Sequence, residues 1–138
     1  MTATSFMFTK IIVDDLAAAE HFYTTVLGLS VTARLARGEQ DDRMEEAFLS
    51  IAGAPQGGGQ LAIVCYPNKP SPAAGEAITG FVVKDLNAVV EAALGAGGIV
   101  VKEPEEIVEH GVRVALIGDR EGHLIEVLQF AAASGGAS

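Results

Sequence analysis

Residues 12–18 read IVDDLAA and residues 82–88 read VVKDLNA, so one short pattern occurs twice at an offset of 70. In each copy a β-branched run is followed by an aspartate, a leucine and a helix-favouring stretch. Asp15 and Asp85 are typical helix N-caps, because a carboxylate there accepts hydrogen bonds from the free amides of the first turn. Gly28 and Gly98 follow at the same offset of 70 and are predicted to end the two helices with a positive φ. The repeat predicts two similar modules.

Outside these segments, the hydrophobic pattern predicts a strand, a helix and three more strands in each module, which is an α+β fold. One helix cannot cover both faces of a four-stranded sheet. We therefore expect the tandem βαβββ modules to pack into one curved mixed sheet, with the helices outside and a concave cleft on the other face. The predicted helices are 16–27 and 86–96, and the predicted strands are 5–13, 29–37, 46–52, 60–66, 77–83, 99–103, 108–117 and 123–130.

A chain of 138 residues has the length of one ordinary domain. We expect a single domain over residues 1–130, with a first module at 5–67 and a second at 76–130. Prolines 67, 70 and 72 mark the intervening linker, residues 68–75. Residues 131–138 are small and are predicted to form a flexible tail.

The charge balance argues against two classes of partner. Nine Lys and Arg stand against eighteen Asp and Glu, a net charge of −9, whereas nucleic acids and anionic membrane surfaces are bound by basic faces. We therefore expect neither a nucleic acid nor a membrane as partner. The single cysteine, Cys65, and the lack of a signal-peptide pattern in residues 1–10 predict a cytoplasmic protein.

Three longer motifs add a family resemblance. They are VDDL at residues 13–16, HFYTTVLGL at 21–29 and DREGHLIEV at 119–127. Together they resemble the vicinal-oxygen-chelate superfamily, which holds glyoxalase I, the bleomycin-resistance proteins and the extradiol ring-cleaving dioxygenases. The likeness runs from Met7 to Gln129 and implies the paired-module fold. It implies no single activity, because this superfamily performs many reactions on one scaffold.

The resemblance also implies four inward positions that hold a metal ion in metal-binding relatives, two in each module. Carried onto this chain they are Phe8, Ile63, Ile78 and Glu126. Only Glu126 has a donor atom, whereas a divalent cation needs three or four N, O or S ligands. We therefore expect no metal and no other cofactor.

Glu126 is the first candidate functional residue, because its neighbours on the same strand face are the apolar Leu124, Leu128 and Phe130. It is predicted to accept a hydrogen bond from a ligand or to act as a general base. The alternative is an ordinary residue at the rim of the cleft.

Further candidates would line the same cleft. Lys10 shares the strand face of Phe8 and is predicted to supply positive charge, unless its amine points into water. Arg113 is a candidate anion-binding residue, with an outward surface charge as the alternative. Cys65 shares the face of Ile63 and either lines the pocket or is a small buried residue. Phe8, Ile63 and Ile78 form either an apolar pocket floor or part of the core.

These features predict a metal-independent small-molecule binding protein, similar to the bleomycin-resistance branch, with an apolar or aromatic ligand in the cleft. The alternative is a lyase or isomerase that uses Glu126 as base and Lys10 or Arg113 to stabilise an oxyanion. A metal-dependent glyoxalase or ring-cleaving dioxygenase is disfavoured. A subunit with a vestigial cavity and a role in partner contact is the third possibility. The resemblance also implies a homodimer.

Overall fold

The computed structural model describes residues 2–54 and 59–131. These residues form two compact units that divide between Ala74 and Gly75. Apart from Ala131, the predicted flexible tail lies outside the described residues. The first unit contains β1 (Phe8–Ile12), α1 (Leu16–Leu27), β2 (Leu29–Arg37), β3 (Met44–Ile51) and β4 (Gln60–Cys65). The second contains β5 (Ile78–Val82), α2 (Leu86–Gly95), β6 (Ile99–Ile107), β7 (Val112–Gly118) and β8 (Leu124–Phe130).

Each unit has one four-stranded mixed sheet, with strand order β1-β4-β3-β2 in the first and β5-β8-β7-β6 in the second. The pairs β1–β4 and β5–β8 are parallel, and the other neighbours are antiparallel. The predicted α+β class and the tandem βαβββ modules are thus confirmed.

Both helices begin as the repeat predicts. The side chain of Asp15 accepts a hydrogen bond from the backbone amide of Ala18 at 3.0 Å, and Asp85 accepts one from Ala88 at 3.1 Å. Each carboxylate therefore satisfies an amide that has no partner within the helix. Neither helix is long and apolar enough to cross a membrane, as far as the described part of the chain extends.

The helix ends differ between the units. Gly28 ends α1 in the left-handed conformation with φ of 67°, as predicted. In the second unit Gly97 has the positive φ, 90°, and the prediction for Gly98 is wrong. The reason is length, because α2 has 10 residues and α1 has 12, so the second helix ends earlier in the repeat. Gly98 instead donates its amide hydrogen to the carbonyl of Ala93 at 2.8 Å.

Strands β6 and β7 of the second unit depart from their predicted bounds. β6 continues to Ile107, four residues beyond the predicted end, even though it contains Pro104. The pairing of β6 with β7 shifts register between Lys102 and Glu105, and a proline is tolerated at such an irregularity on an edge strand. Residues Val108–His110, predicted to begin the next strand, form a short 3₁₀ turn that ends at Gly111 with φ of 61°.

Each helix packs on one face of the sheet in its own unit, so the other face has no helix from that unit. In the first unit Arg34 contacts Glu20 of α1, which identifies the face that the helix covers. In the second unit the backbone amide of Leu86, at the start of α2, donates to Gln129 at 2.7 Å. The core on these helix-covered faces includes Phe22, Tyr23, Leu49, Ile63, Ile117, Ile125 and Val127, all nearly inaccessible to solvent.

Candidate functional site

The register of the first sheet decides which side chains lie away from α1. Lys10 pairs with Ala62 on β4, and Ala62 pairs with Phe48 on β3. Paired residues point to the same side of a sheet, and side chains alternate along each strand. Arg34 pairs with Ala47 on the face that α1 covers, so the neighbours of Ala47 along β3 face the other way. We call this other face the open face of the first sheet; it carries Phe8, Lys10, Glu46, Phe48, Ala62 and Val64.

An ion pair joins two strands across this open face. Lys10 Nζ lies 2.6 Å from Glu46 Oε2. The lysine side chain is 33% exposed, whereas the glutamate side chain is only 3% exposed. Oε2 has no partner with regular hydrogen-bond geometry in the described part of the chain, so the nearby ammonium is what offsets the cost of burying this carboxylate.

Two aromatic rings lie beside the ion pair. Phe8 and Phe48 meet edge to face, with ring centroids 5.4 Å apart and ring planes at 82°. Lys10 Nζ is 5.3 Å from the centre of the Phe8 ring, within the range of a cation–π interaction. Phe8 is 38% exposed, so part of this aromatic surface is accessible.

A small residue on β4 makes this cluster possible. Ala62 is fully buried and lies between Lys10 and Phe48 in the register. Its methyl group leaves room above the central strand, where side chains from β1 and β3 can approach each other. A larger side chain would occupy the space in which the two rings and the ion pair meet.

The corresponding face of the second sheet is mostly apolar. Glu126 pairs with Gly80 on β5 and with Leu116 on β7. Glu126 is exposed, and Ile78, Val82 and Phe130 are each more than half exposed. We call this the open face of the second sheet, because Gln129 and the other contacts with α2 are on the opposite side. It carries Ile78, Gly80, Val82, Leu116, Leu124, Glu126, Leu128 and Phe130.

The strand registers of the two sheets show which residue of the first unit corresponds to Glu126. Gly80 lies 70 residues after Lys10 and pairs with Glu126, whereas Lys10 pairs with Ala62. The counterpart of Glu126 in the first unit is therefore Ala62. The expectation that Ile63 shares the inward face of Phe8 is wrong, because a shift of one residue moves a side chain to the other face.

Ile63 and Cys65 instead lie on the face that α1 covers. Ile63 is fully buried, and Cys65 is buried, with Sγ 3.5 Å from the carbonyl oxygen of Asp14. The structure therefore does not bring these two side chains together with Phe8 and Lys10.

Arg113 lies on the face of the second sheet that α2 covers. It pairs with Gln129, and its Nη2 donates to Asn87 Oδ1 of α2 at 3.1 Å. Arg113 and Glu126 thus point to opposite faces of one sheet. The oxyanion role suggested for Arg113 beside Glu126 has no support from this arrangement.

The DREGH part of the third motif, residues 119–123, has a structural role in the turn before β8. Asp119 is 5% exposed and accepts hydrogen bonds from the backbone amides of Glu121 and His123, both at 2.9 Å. Its Oδ2 is also 2.9 Å from His123 Nδ1. Gly122 takes a positive φ of 93° within the turn. These contacts order the chain before β8, which carries Glu126.

The residues present do not fit the metal that the resemblance implies. With Ala62 in place of Ile63, the four positions hold a phenyl ring, two aliphatic side chains and Glu126, which offers oxygen donors from only one residue. Across residues 2–54 and 59–131, no group of three or more His, Cys, Asp or Glu is placed to hold a metal ion.

The first unit also has a groove beside α1. It has a volume of about 630 Å³ and is lined by residues of α1, β2 and β3, including Glu20, His21, Arg34 and Glu45. The hydrogen bond and charge of Glu20 hold the pKa of Arg34 above its usual value. Arg34 Nη2 is 2.6 Å from Glu20 Oε1, so the most prominent charges of the groove are already paired with each other.

Sequence reasoning missed Glu46 and Phe48. A usable signal was present, because Met44, Glu46 and Phe48 alternate along β3 and place one acid between two apolar residues of the same face. The identity of its partner, Lys10, depends on long-range strand pairing that a local pattern does not show.

Comparison with known proteins agrees with this architecture. A family model described as the glyoxalase/bleomycin resistance protein/dioxygenase superfamily matches residues 5–127. A glyoxalase family protein from Bacillus cereus is 20% identical, with a TM-score of 0.79 over 95% of this chain and 97% of that one. Glyoxalase I from Zea mays is 20% identical, with a TM-score of 0.74, and the match covers 92% of this chain and 45% of that one.

A glyoxalase/bleomycin resistance protein from Albidiferax ferrireducens is also 20% identical, with a TM-score of 0.64 over 90% of this chain and 97% of that one. At these identities, the likeness to solved structures shows the fold alone. No curated protein matches the chain.

The ion pair predicts unequal effects of its two single substitutions. Lys10→Met leaves a buried carboxylate without its cation and should lower the free energy of unfolding by about 2–4 kcal/mol, below the range for a fully buried pair because Lys10 is partly exposed. Glu46→Gln frees an ammonium that can turn into water and should cost about 1 kcal/mol. Urea unfolding followed by circular dichroism measures both.

The double variant Lys10→Met/Glu46→Gln should recover much of the stability lost in Lys10→Met, because no charge is then left unpaired. Lys69→Met is the matched control, since Lys69 Nζ also lies over an aromatic ring, that of Tyr66, at 4.5 Å. Equal losses for Lys10→Met and Lys69→Met, or additive losses in the double variant, would contradict this account of the pair.

Proposed function

Because this chain belongs to the glyoxalase/bleomycin resistance protein/dioxygenase superfamily, whose model matches residues 5–127, we propose that it is a metal-independent small-molecule binding protein. Its ligand is apolar or aromatic and binds on the open face of the first sheet. The observation that carries this proposal is the edge-to-face pair of Phe8 and Phe48, partly exposed on a sheet face without a helix of its own unit.

The charges of this face support an apolar or aromatic ligand. Lys10 and Glu46 neutralise each other at 2.6 Å, so the accessible aromatic surface of Phe8 lies beside a pair of balanced charge. Small-molecule sites are typically lined by apolar and aromatic side chains with a few placed polar groups. Metal independence is supported by the poor donor set at the positions where the resemblance implies a metal.

In the second unit, Ile78 and Glu126 are proposed as ligand contacts on that unit's own open face. Its glutamate is exposed among apolar neighbours, which suits a hydrogen-bond acceptor for a ligand. Ile63, Cys65 and Arg113 are left out of the proposed ligand contacts, because they lie on the faces that the helices cover.

A neutral aromatic fluorophore tests the proposal. We expect N-phenyl-1-naphthylamine to bind saturably, with the rise in fluorescence that this dye shows in apolar surroundings. Phe48→Ala should weaken its binding about tenfold, because it removes a ring contact worth about 1 kcal/mol together with the buried area behind it. Fluorescence titration gives the Kd of each variant.

Phe6→Ala is the matched control, since Phe6 is 82% exposed and is not part of the ring pair. Its Kd should equal that of the unmodified protein. The proposal fails if the dye does not bind saturably, or if Phe48→Ala and Phe6→Ala have the same Kd.

The alternative function is a lyase or isomerase that uses Glu126 as its general base. Its support is an accessible carboxylate on a largely apolar face. Against it stands the position of Arg113, which points to the opposite face and cannot stabilise an oxyanion formed beside Glu126.

Incorporation of solvent deuterium into hydroxyacetone, followed by NMR, separates this alternative from pure binding. We expect the same rate with the protein, with Glu126→Gln and in buffer alone. Exchange above the buffer rate that falls at least about a hundredfold in Glu126→Gln, but not in Glu121→Gln, would replace the binding proposal with the enzymatic one.

A second copy of the chain is the proposed protein partner, and the cytoplasm is the proposed compartment. Membership of this superfamily supports self-association, because its members often form oligomers. Light scattering on the eluted protein should give twice the chain mass of 14.3 kDa. A mass of one chain at micromolar concentration would contradict the dimer.

A further inference from the structure

We propose that Lys10 binds an oxygen atom of the ligand, so that the ligand is a planar aromatic molecule with a carbonyl, phenolate or carboxylate group. This inference rests on the proposed function, because it concerns the same open face of the first sheet. It adds the chemical class of the ligand and assigns the polar contact to one residue.

The ammonium of Lys10 lies close to both the carboxylate of Glu46 and the ring of Phe8. Lys10 Nζ lies 2.6 Å from Glu46 Oε2 and 5.3 Å from the centre of the Phe8 ring. A ring packed against Phe8 and Phe48 would therefore place its substituents within reach of this nitrogen. The contact with Glu46 restrains a side chain that is otherwise flexible.

The ammonium of Lys10 has more hydrogen-bond donors than its contact with Glu46 uses. A lysine has three N–H donors, and one carboxylate oxygen engages at most one of them well. The side chain of Lys10 is 33% exposed, so donors remain accessible from the open face. An oxygen acceptor on the ligand would receive a charge-assisted hydrogen bond, which is stronger than a neutral one.

The burial of Glu46 argues against a cationic ligand. A cationic ligand would need to reach a carboxylate that is 3% exposed, with Lys10 Nζ already in contact with it. Such a ligand would have to displace the ammonium and then lie beside it, with like charges close together. The arrangement thus favours acceptors over cations, even though the whole chain has a net charge of −9.

Three isosteric probes test this inference directly: benzoate, benzamide and benzamidinium. They share one ring and a planar head group of similar size, but the head group is an anionic acceptor, a neutral acceptor and donor, and a cationic donor. Titrations at about 150 mM salt reduce long-range attraction of the cation to the acidic protein. We expect benzoate and benzamide to bind, and benzamidinium to bind at least tenfold more weakly than benzoate.

Two variants assign the preference to Lys10. In Lys10→Met/Glu46→Gln, which leaves no unpaired charge, the preference for benzoate over benzamidinium should fall at least tenfold. In Lys69→Met it should stay unchanged, since Lys69 lies over the ring of Tyr66, beyond the end of β4, and is not in contact with Glu46 or Phe8 in the described ion pairs and ring contacts. The series of three probes needs no variant and decides the inference even if the double variant does not fold.

The outcomes separate this inference from the proposed function. Benzamidinium binding as tightly as benzoate, or a benzoate preference that survives the loss of Lys10, overturns the inference. Binding of the neutral fluorophore without binding of benzoate or benzamide also overturns it and leaves the proposed function standing. Absence of fluorophore binding refutes the proposed function itself.

Discussion

One helix can cover only one face of a sheet, and each unit of this chain has one helix for four strands. Strand register therefore decides which side chains enter the core under the helix and which remain on the open face. Along β4 the consequence is visible at adjacent residues: Ile63 lies under α1, whereas Ala62 lies between Lys10 and Phe48 on the other side. The candidate site is a product of this alternation.

Burial of the Glu46 carboxylate is the energetically unfavourable feature of that open face, because the charge loses its hydration. Burial of a charge is tolerated where a partner offsets the lost hydration, and Lys10 is that partner at 2.6 Å. The pair is asymmetric, because the acid is inaccessible and the ammonium is not. This asymmetry leaves the face with a usable donor, and the adjoining rings of Phe8 and Phe48 give it an aromatic surface.

The local features of this protein could be predicted from its sequence, whereas the strand register and the contacts between distant residues could not. The bounds of α1 and β2 and the caps at Asp15 and Asp85 depend on residues close in the chain, and the structure agrees with them. The inward position assigned to Ile63 and the role suggested for Arg113 depended on register and on packing against a helix. Neither leaves a local signal, and the contact between Lys10 and Glu46 spans 36 residues.

Ligand binding on the open face of the first sheet should change the surroundings of the side chains on that face. Methyl NMR during titration with N-phenyl-1-naphthylamine tests it most directly, because Ala62 and Val64 report on the open face and Ile63 on the face under α1. We predict that the methyl resonances of Ala62 and Val64 shift with ligand concentration while those of Ile63 change little. Shifts at Ile63 without shifts at Ala62 and Val64 would contradict it.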